Sequence, residues 1–454
     1  MNSTPVKNLN DTIFAIATPP GTGGVGVIRV SGPGVADIAE NILGNIPKPR
    51  FAHLAGFKGE DDQAIDSGIA LFFPAPASFT GEDVLELQGH GGAVVQQLLA
   101  TRLMSLGARQ ARPGEFSERA FLNDKLDLTQ AEAIADLVES GTAAAARAAQ
   151  RSLEGVFSAR VNNLQSELTT LRVFIEAALD FPEEEIDFIA ESDTLQQLAD
   201  AQQSTRTLLE DAHQGSLLRD GITIAIIGQP NVGKSSLLNV LSGTEAAIVT
   251  DIPGTTRDVL RETISIDGLP VHIADTAGIR ESTDVIEAEG MRRARAALER
   301  SDLVLLVLDL NDRNSDNDKI FAELPAKTPC IRVWNKTDIA GDITPTPATS
   351  QANNVAISAK TGEGIDRLKA LICERAGLSA EHEGSFSART RHLDALRRTS
   401  EHLREGTRQL EKYSAPEVLA EELRLAQKAL GEITGEFLPD DLLGAIFASF
   451  CIGK

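Results

Sequence analysis

The chain has 454 residues, enough for about three domains that each bury a core. Its composition, 42% hydrophobic and 24% charged, is that of a folded globular protein. No apolar run approaches the roughly 18 residues of a membrane helix. The N-terminus lacks the basic-then-apolar layout of a signal peptide. Three cysteines, Cys330, Cys373 and Cys451, are too few and too scattered for a disulfide framework or a zinc site, so a cytoplasmic protein with no membrane association is expected. A formal net charge of −23 counts against a broad phosphate-tracking surface, so any action on RNA would leave much of the binding to a partner.

Residues up to about 123 mix strand and helix patterns. Strands are predicted over 14–17 and 25–30, around the turn Pro19-Pro20-Gly21-Thr22-Gly23-Gly24, and over 84–88. A helix is predicted over 93–106, stopped by Gly107. From 126 to about 218 Gly and Pro become rare and apolar residues recur at helical spacing, interrupted by an acidic loop over 180–185. Strands then alternate with helices: 222–227, 259–266, 271–274, 303–308, 330–334 and 355–357 read as strands, with polar loops at 311–318 and 341–352. Such alternation predicts a mostly parallel sheet covered on both faces. After about 377 long helices return and continue to 450, so one helical domain is expected to be split by the inserted α/β module. The expected divisions are 1–123, 124–218, 219–377 and 378–454.

The inserted module carries an ordered set of nucleotide motifs. Gly228-Gln229-Pro230-Asn231-Val232-Gly233-Lys234-Ser235 follows a strand and opens a helix expected over 236–242, the context a phosphate loop requires. Backbone N–H groups there curl around phosphates, Lys234 reaches the β and γ groups, and Ser235 ligates Mg²⁺. Asp275-Thr276-Ala277-Gly278 follows a strand, where a carboxylate can hold Mg²⁺ through water and Gly278 can lend its N–H to the γ-phosphate. In Asn335-Lys336-Thr337-Asp338 the last carboxylate can accept from guanine N1–H and N2–H₂, which adenine cannot offer, and Ser358-Ala359-Lys360 backs the base. The implied nucleotide is GTP.

Catalytic residues are less plain. Ras-type enzymes place a water-orienting Gln where this chain has Ile279, and an aliphatic side chain cannot orient water. Glu281, Asp284, Glu287 and Glu289 are the neighbouring acids, and Arg257 and Arg261 are available cations, with no one of them singled out by position.

Further motifs lie outside and inside the module: 17–26 (ATPPGTGGVG), 29–32 (RVSG), 78–84 (SFTGEDV), 86–92 (ELQGHGG), 112–116 (RPGEF), 119–123 (RAFLN), 125–128 (KLDL), 250–258 (TDIPGTTRD) and the final 450–454 (FCIGK). Together, over the whole length, they closely resemble the MnmE (TrmE) family of tRNA-modification GTPases. The resemblance implies an N-terminal α/β domain like folate-binding one-carbon domains, which also forms the homodimer. It further implies a split helical domain and an inserted Ras-like (TRAFAC) P-loop GTPase domain. Members act with the flavoprotein MnmG, as a heterotetramer, to install an aminomethyl or carboxymethylaminomethyl group on C5 of the wobble uridine of certain tRNAs. A tetrahydrofolate derivative such as 5-formyltetrahydrofolate supplies the carbon, and the partner brings FAD and uses NADH.

Carried over residue by residue, the resemblance assigns folate contacts to Arg29, Glu86, Lys125 and Lys454, in keeping with the folate's carboxylates and pterin donors. Cys451 matches the family's tail cysteine, as either a nucleophile of depressed pKa or a small apolar contact. K⁺ takes the place of an arginine finger, with Asn231, the carbonyls of Thr250 and Ile252, and Thr255 as ligands. Thr256 joins Ser235 on Mg²⁺, and Glu287 is promoted to the water-positioning acid, beside Lys234, in the catalytic set. The GTP contacts implied are Asn231, Val232, Gly233, Lys234, Ser235 and Ser236, then Thr250, Asp251, Ile252, Pro253, Gly254, Thr255 and Thr256, together with the three motifs that follow. Thr22 stands where members often have a basic residue, Asp124 replaces a frequent glycine, and Pro253 is a side-chain change in a loop that ligates by backbone. A ribosome-assembly GTPase of the Era or EngA kind is the alternative, but those proteins carry basic RNA-binding domains after the module, where this chain is acidic and helical. A scaffold that only binds GTP is disfavoured by intact Lys234, Ser235, Asp275 and Glu287.

Overall fold

The computed structural model describes residues 11–180, 193–244, 262–274, 298–311, 328–339, 353–379, 386–450 and Gly453. The chain divides into two compact units, one of residues 1–135, 153–169 and 427–454, the other of 136–152 and 170–426.

In the first unit, β1 (Ile13–Ile16), β2 (Gly23–Ser31), β3 (His53–Lys58), β4 (Ala64–Phe73), β5 (Val84–Gly91) and β6 (Arg109–Gln110) form a sheet in the order β3-β4-β5-β2-β1-β6. All pairings are antiparallel except β1 with β6. Alternation buries Ile28 and Val30 of β2 with Leu85 and Leu87 of β5 on one face. Helix α1 (Val35–Leu43) brings Val35, Ile38, Ala39 and Ile42 to the same core, and α2 (Ala93–Ser105) brings Leu99 and Leu103. Strands β3 and β4 are absent from the sequence reading. In β3 only Phe57 is buried and Leu54 stays 80% exposed, so the segment carries little of the half-buried alternation that marks a strand.

Helix α3 (Glu115–Leu122) follows β6, and its Arg119, 1% exposed, anchors an ion network. Its guanidinium donates to Asp11 Oδ1 at 2.6 Å and to both Glu82 oxygens at 3.1 Å. Glu115 accepts from Arg109 at 2.5 and 2.9 Å and from the Arg112 backbone N–H at 2.8 Å. Burial pushes the Glu115 carboxyl up, but the Arg109 guanidinium, the Arg112 N–H and their charges outweigh it and hold the pKa at about 2. A pKa depressed on folding stabilises the fold above the unfolded value near 4.5, and that stability is lost as pH falls toward 2. Urea unfolding between pH 5 and pH 2 is expected to show this loss, of order 3 kcal/mol, flattened in Glu115→Gln; an unchanged pH slope in the variant would contradict it.

Helix α4 (Leu128–Glu139) begins in this unit, α5 (Ala143–Leu153) and α6 (Val156–Asp180) come next, and α7 (Thr194–Asp220) leads to the second sheet. The helical stretch is thus divided by breaks near Gly141 and Gly155.

The second sheet comprises β7 (Ile222–Ile227), β8 (Glu262–Ile266), β9 (Leu269–Ile273), β10 (Leu303–Asp309), β11 (Cys330–Asn335) and β12 (Asn354–Ala356), in the order β12-β11-β10-β7-β9-β8. Every pairing is parallel except β8 with β9. Strands β7 and β10 are buried on both faces, which is why they read as continuous apolar runs. The chain leaves β7 between β9 and β10, the switch point where open α/β sheets bind ligands. Helix α8 (Lys234–Thr244) starts there, and α9 (Ile365–Ala376) covers the core with Leu368, Leu371 and Ile372.

After the sheet come α10 (Thr390–Tyr413), α11 (Pro416–Thr434) and α12 (Asp440–Ala448). Within the second unit, α10 packs along α7, where Gln202 donates to the Leu403 carbonyl at 3.2 Å and to Thr407 at 2.8 Å. Helices before and after the α/β module therefore meet. In the first unit, Phe447 of α12 packs against Phe121 of α3 with ring centroids 6.0 Å apart.

Candidate nucleotide and folate sites

The loop between β7 and α8 folds as its glycines require. Gly228 and Gly233 have φ of 152° and 98°. A Cβ at Gly228 would lie 2.2 Å from the Val307 carbonyl oxygen, and one at Gly233 would lie 2.2 Å from Asn335 Nδ2. Asn231 adopts a left-handed φ of 63°, the kind of turn that aims successive N–H groups into one concavity. Lys234 folds back over the loop, its Nζ donating to the carbonyls of Gly228 at 2.8 Å and Gln229 at 2.7 Å. Burial pushes its pKa down, a cost that a phosphate beside it would reverse. Ser235 and Ser236 lie in the first turn of α8, at a helix N-terminus that favours anions.

Asn335 joins this loop to the two others. It is 2% exposed; its Nδ2 donates to the Val232 carbonyl at 2.8 Å, and its Oδ1 accepts from the Ala359 N–H at 2.9 Å. One amide thus fastens the phosphate loop, the end of β11 and the segment after β12. Both of its polar atoms have internal partners, so its main work is as a strut.

Lys336, with φ of 73°, reaches Asp309 Oδ2 at 2.7 Å. Burial raises the Asp309 pKa, but the Lys336 ammonium and the Asn311 donors outweigh it and hold the carboxyl below its usual value. Asp309 is missing from the sequence reading, although an acid closing the apolar run of β10 was a visible signal. Asp338 is exposed, and one of its oxygens accepts from the Ser358 hydroxyl at 2.8 Å. Ser358 Oγ also accepts from the Thr361 N–H at 3.1 Å, which fixes the hydroxyl. Thr337 donates to Glu363 at 3.2 Å, and Lys360 is exposed. The structure thus brings Asn231 to Ser236, Asn335 to Asp338 and Ser358 to Lys360 into one connected set.

Thr250, Asp251, Ile252, Pro253, Gly254, Thr255, Thr256, Asp275, Thr276, Ala277, Gly278, Glu287, Cys451 and Lys454 lie outside the described residues.

In the first sheet, Arg29 of β2 and Glu86 of β5 are direct cross-strand partners. Arg29 Nε donates to Glu86 Oε1 at 2.9 Å and a terminal nitrogen to the same oxygen at 2.8 Å, with side chains 24% and 16% exposed. Gln88 donates to the other Glu86 oxygen at 3.3 Å, and the Phe79 ring lies 5.8 Å from the guanidinium carbon. Arg29 also reaches the Gly453 carbonyl at 3.5 Å, so Gly453 lies beside this pair. Lys125 is exposed, its aliphatic stem beside Gly81. The two cysteines described, Cys330 and Cys373, have thiols pushed up to about 11 by burial, and neither is an activated nucleophile. Among the described residues no helix is long and apolar enough to cross a membrane.

A family model described as the MnmE helical domain matches residues 128–451, and one described as the GTP-binding protein TrmE N-terminus matches residues 12–125. Among solved structures, the G domain of the T. maritima FeoB iron transporter is 27% identical over 34% of this chain and 98% of that one, with a TM-score of 0.27. Aquifex aeolicus Era bound to GDP·AlF₄⁻ is 28% identical over 40% of this chain and 66% of that one, with a TM-score of 0.27. The elongation factor SelB of Methanococcus maripaludis is 23% identical over 35% of this chain and 34% of that one, with a TM-score of 0.25.

Proposed function

Because the chain belongs to the MnmE (TrmE) family, we propose that it is a K⁺-activated GTP hydrolase acting with the flavoprotein MnmG in folate-dependent modification of C5 of the tRNA wobble uridine. The observation that carries the nucleotide half is the Asn335 strut, which holds a phosphate-cradling loop and a base-reading loop in one fixed relation. Lys234 takes the β- and γ-phosphates, and Val232, Gly233 and Ser236 line the cradle. Asp338 accepts from guanine while Thr337, Ala359 and Lys360 flank the base. Ser235 and Thr256 hold Mg²⁺, with Asp275 behind it through water. Asn231, Thr250, Ile252 and Thr255 hold K⁺, whose charge stabilises the transferring phosphoryl group.

Arg29 and Glu86 support the folate half. An exchangeable, half-buried ion pair can offer a guanidinium to a carboxylate and a carboxylate to a pterin's N–H donors. Lys125 and Lys454 add positive charge for the folate's glutamate, and Cys451 acts at the tail. Residues 1–123 form the folate-binding and dimerisation domain, 124–218 with 378–454 the helical domain, and 219–377 the GTPase domain. The protein works in the cytoplasm as a homodimer that assembles with MnmG, which contributes FAD, NADH chemistry and most of the tRNA contact.

GTP turnover measured in K⁺ is expected to exceed that in Na⁺ by about 10-fold or more, since the smaller ion fits a K⁺ cage poorly. Equal rates in the two salts would remove K⁺ from the mechanism.

A further inference from the structure

Asp136 lies in the last turn of α4, with its side chain 5% exposed. Arg219 Nε donates to its Oδ1 at 2.8 Å and Arg389 donates to the same oxygen at 2.7 Å. The Ser387 hydroxyl donates to Oδ2 at 2.5 Å. These partners mark two chain crossings. Arg219 belongs to the last turn of α7, just before β7, the strand that ends in the phosphate loop. Ser387 and Arg389 immediately precede α10, the first helix after the nucleotide module. One carboxylate therefore binds the chain both where it goes into the module and where it leaves.

A second set of ties runs beside the first. Thr142 donates to the Gly268 carbonyl, in the turn between β8 and β9, at 3.0 Å. The His272 ring Nε2 lies 3.0 Å from the Asp220 carbonyl, and a Cβ at Gly221 would meet the Pro270 carbonyl at 2.2 Å. Strand β9 is thus fastened to the end of α7 and the start of α5, and it runs through Ala274 directly into the Asp275 motif. Alongside lies a cavity of about 230 Å³ lined by Asp136, Glu139, Ser140, Arg219, Asp220 and Ser387. It is partly open to solvent, and it gives the Arg219 and Ser387 side chains space for a second arrangement.

We propose that Asp136 is a positioning residue that conveys the nucleotide state of the module to the helices, by fixing both chain crossings to one buried carboxylate beside a cavity in which its partners can shift. This rests on the nucleotide reading above. Neutralising Asp136 removes the counter-charge that the two guanidinium groups share, leaving Arg219 its pair with Asp220, and so unties the two crossings from each other without touching the phosphate loop.

The test is hydrogen exchange on the full chain with GDP and with GDP plus aluminium fluoride in K⁺. In the unaltered protein, amides over 217–223 and 387–395 are expected to change exchange rate by about threefold or more between the two states, together with those over 228–235. In Asp136→Asn the 228–235 response persists and GDP affinity stays within about twofold, while the response of the two flanks is lost. A flank response that survives in Asp136→Asn overturns the proposal, as does a flank response missing from the unaltered protein. A merely structural role raises flank exchange equally in both states and keeps their difference, which also overturns it. Should Asp136→Asn fail to fold, Ser387→Ala keeps both ion pairs and is expected to shrink the flank response, and an undiminished response overturns the proposal. Absence of any response over 228–235 in the unaltered protein would instead overturn the nucleotide reading, and this inference with it.

Discussion

Asp338→Asn is expected to lower GTP affinity roughly 1,000-fold and to raise affinity for xanthosine triphosphate. Two hydrogen bonds from guanine to a carboxylate are each worth about 1.5–3 kcal/mol, and an amide nitrogen turned toward N2–H₂ meets a donor with a donor. Xanthine replaces the 2-amino group with a carbonyl, which accepts from that amide. The Ser358 hydroxyl already donates to Asp338 Oδ1 at 2.8 Å and is itself held by the Thr361 N–H, so it selects the rotamer of the new amide. The oxygen stays on the Ser358 side, with a lone pair left to accept from N1–H, and the nitrogen faces the 2-position of the base. Competition between fluorescent GDP and the two triphosphates measures the exchange. Loss of GTP affinity with no gain for xanthosine triphosphate would mean that Asp338 supports the loop and does not read the base.

The second large effect is on turnover. Glu287→Ala is expected to reduce kcat for GTP by about 10²–10³, with the dissociation constant changed less than about threefold. The position after Gly278 is Ile279, whose side chain can neither accept a proton nor orient water, so the attacking water needs another partner. An acid that meets that water acts in the transition state and leaves ground-state binding alone, which separates kcat from affinity. Single-turnover hydrolysis with a parallel binding titration checks this. If affinity collapses together with rate, Glu287 is a structural residue of its loop.

The nucleotide module was the most legible part of the chain, because each motif among the described residues follows a strand and short-range pattern decides it. Lys234, Asn335 and Asp338 were picked out as candidates in this way. What Asn335 does could not be read so: its bonds to Val232 and Ala359 span 103 and 24 residues of sequence. Asp136 was hidden more thoroughly. Within an amphipathic helix it looks like any polar position, and its partners Arg219 and Arg389 are 83 and 253 residues away. In the N-terminal sheet, β3 and β4 escaped notice because pairing with neighbours, and not their own hydrophobic rhythm, makes them strands. Arg29 and Glu86 were identified separately through the family resemblance; that they face each other across β2 and β5 is a matter of register, set by the whole sheet.

The most direct test of the proposed role is mass-spectrometric analysis of wobble nucleosides in tRNA from cells lacking this protein. The carboxymethylaminomethyl group on C5 of uridine is expected to disappear and to return when the intact chain is supplied, but not when Glu287→Ala is supplied. Unchanged wobble uridine in the deletion strain would contradict it.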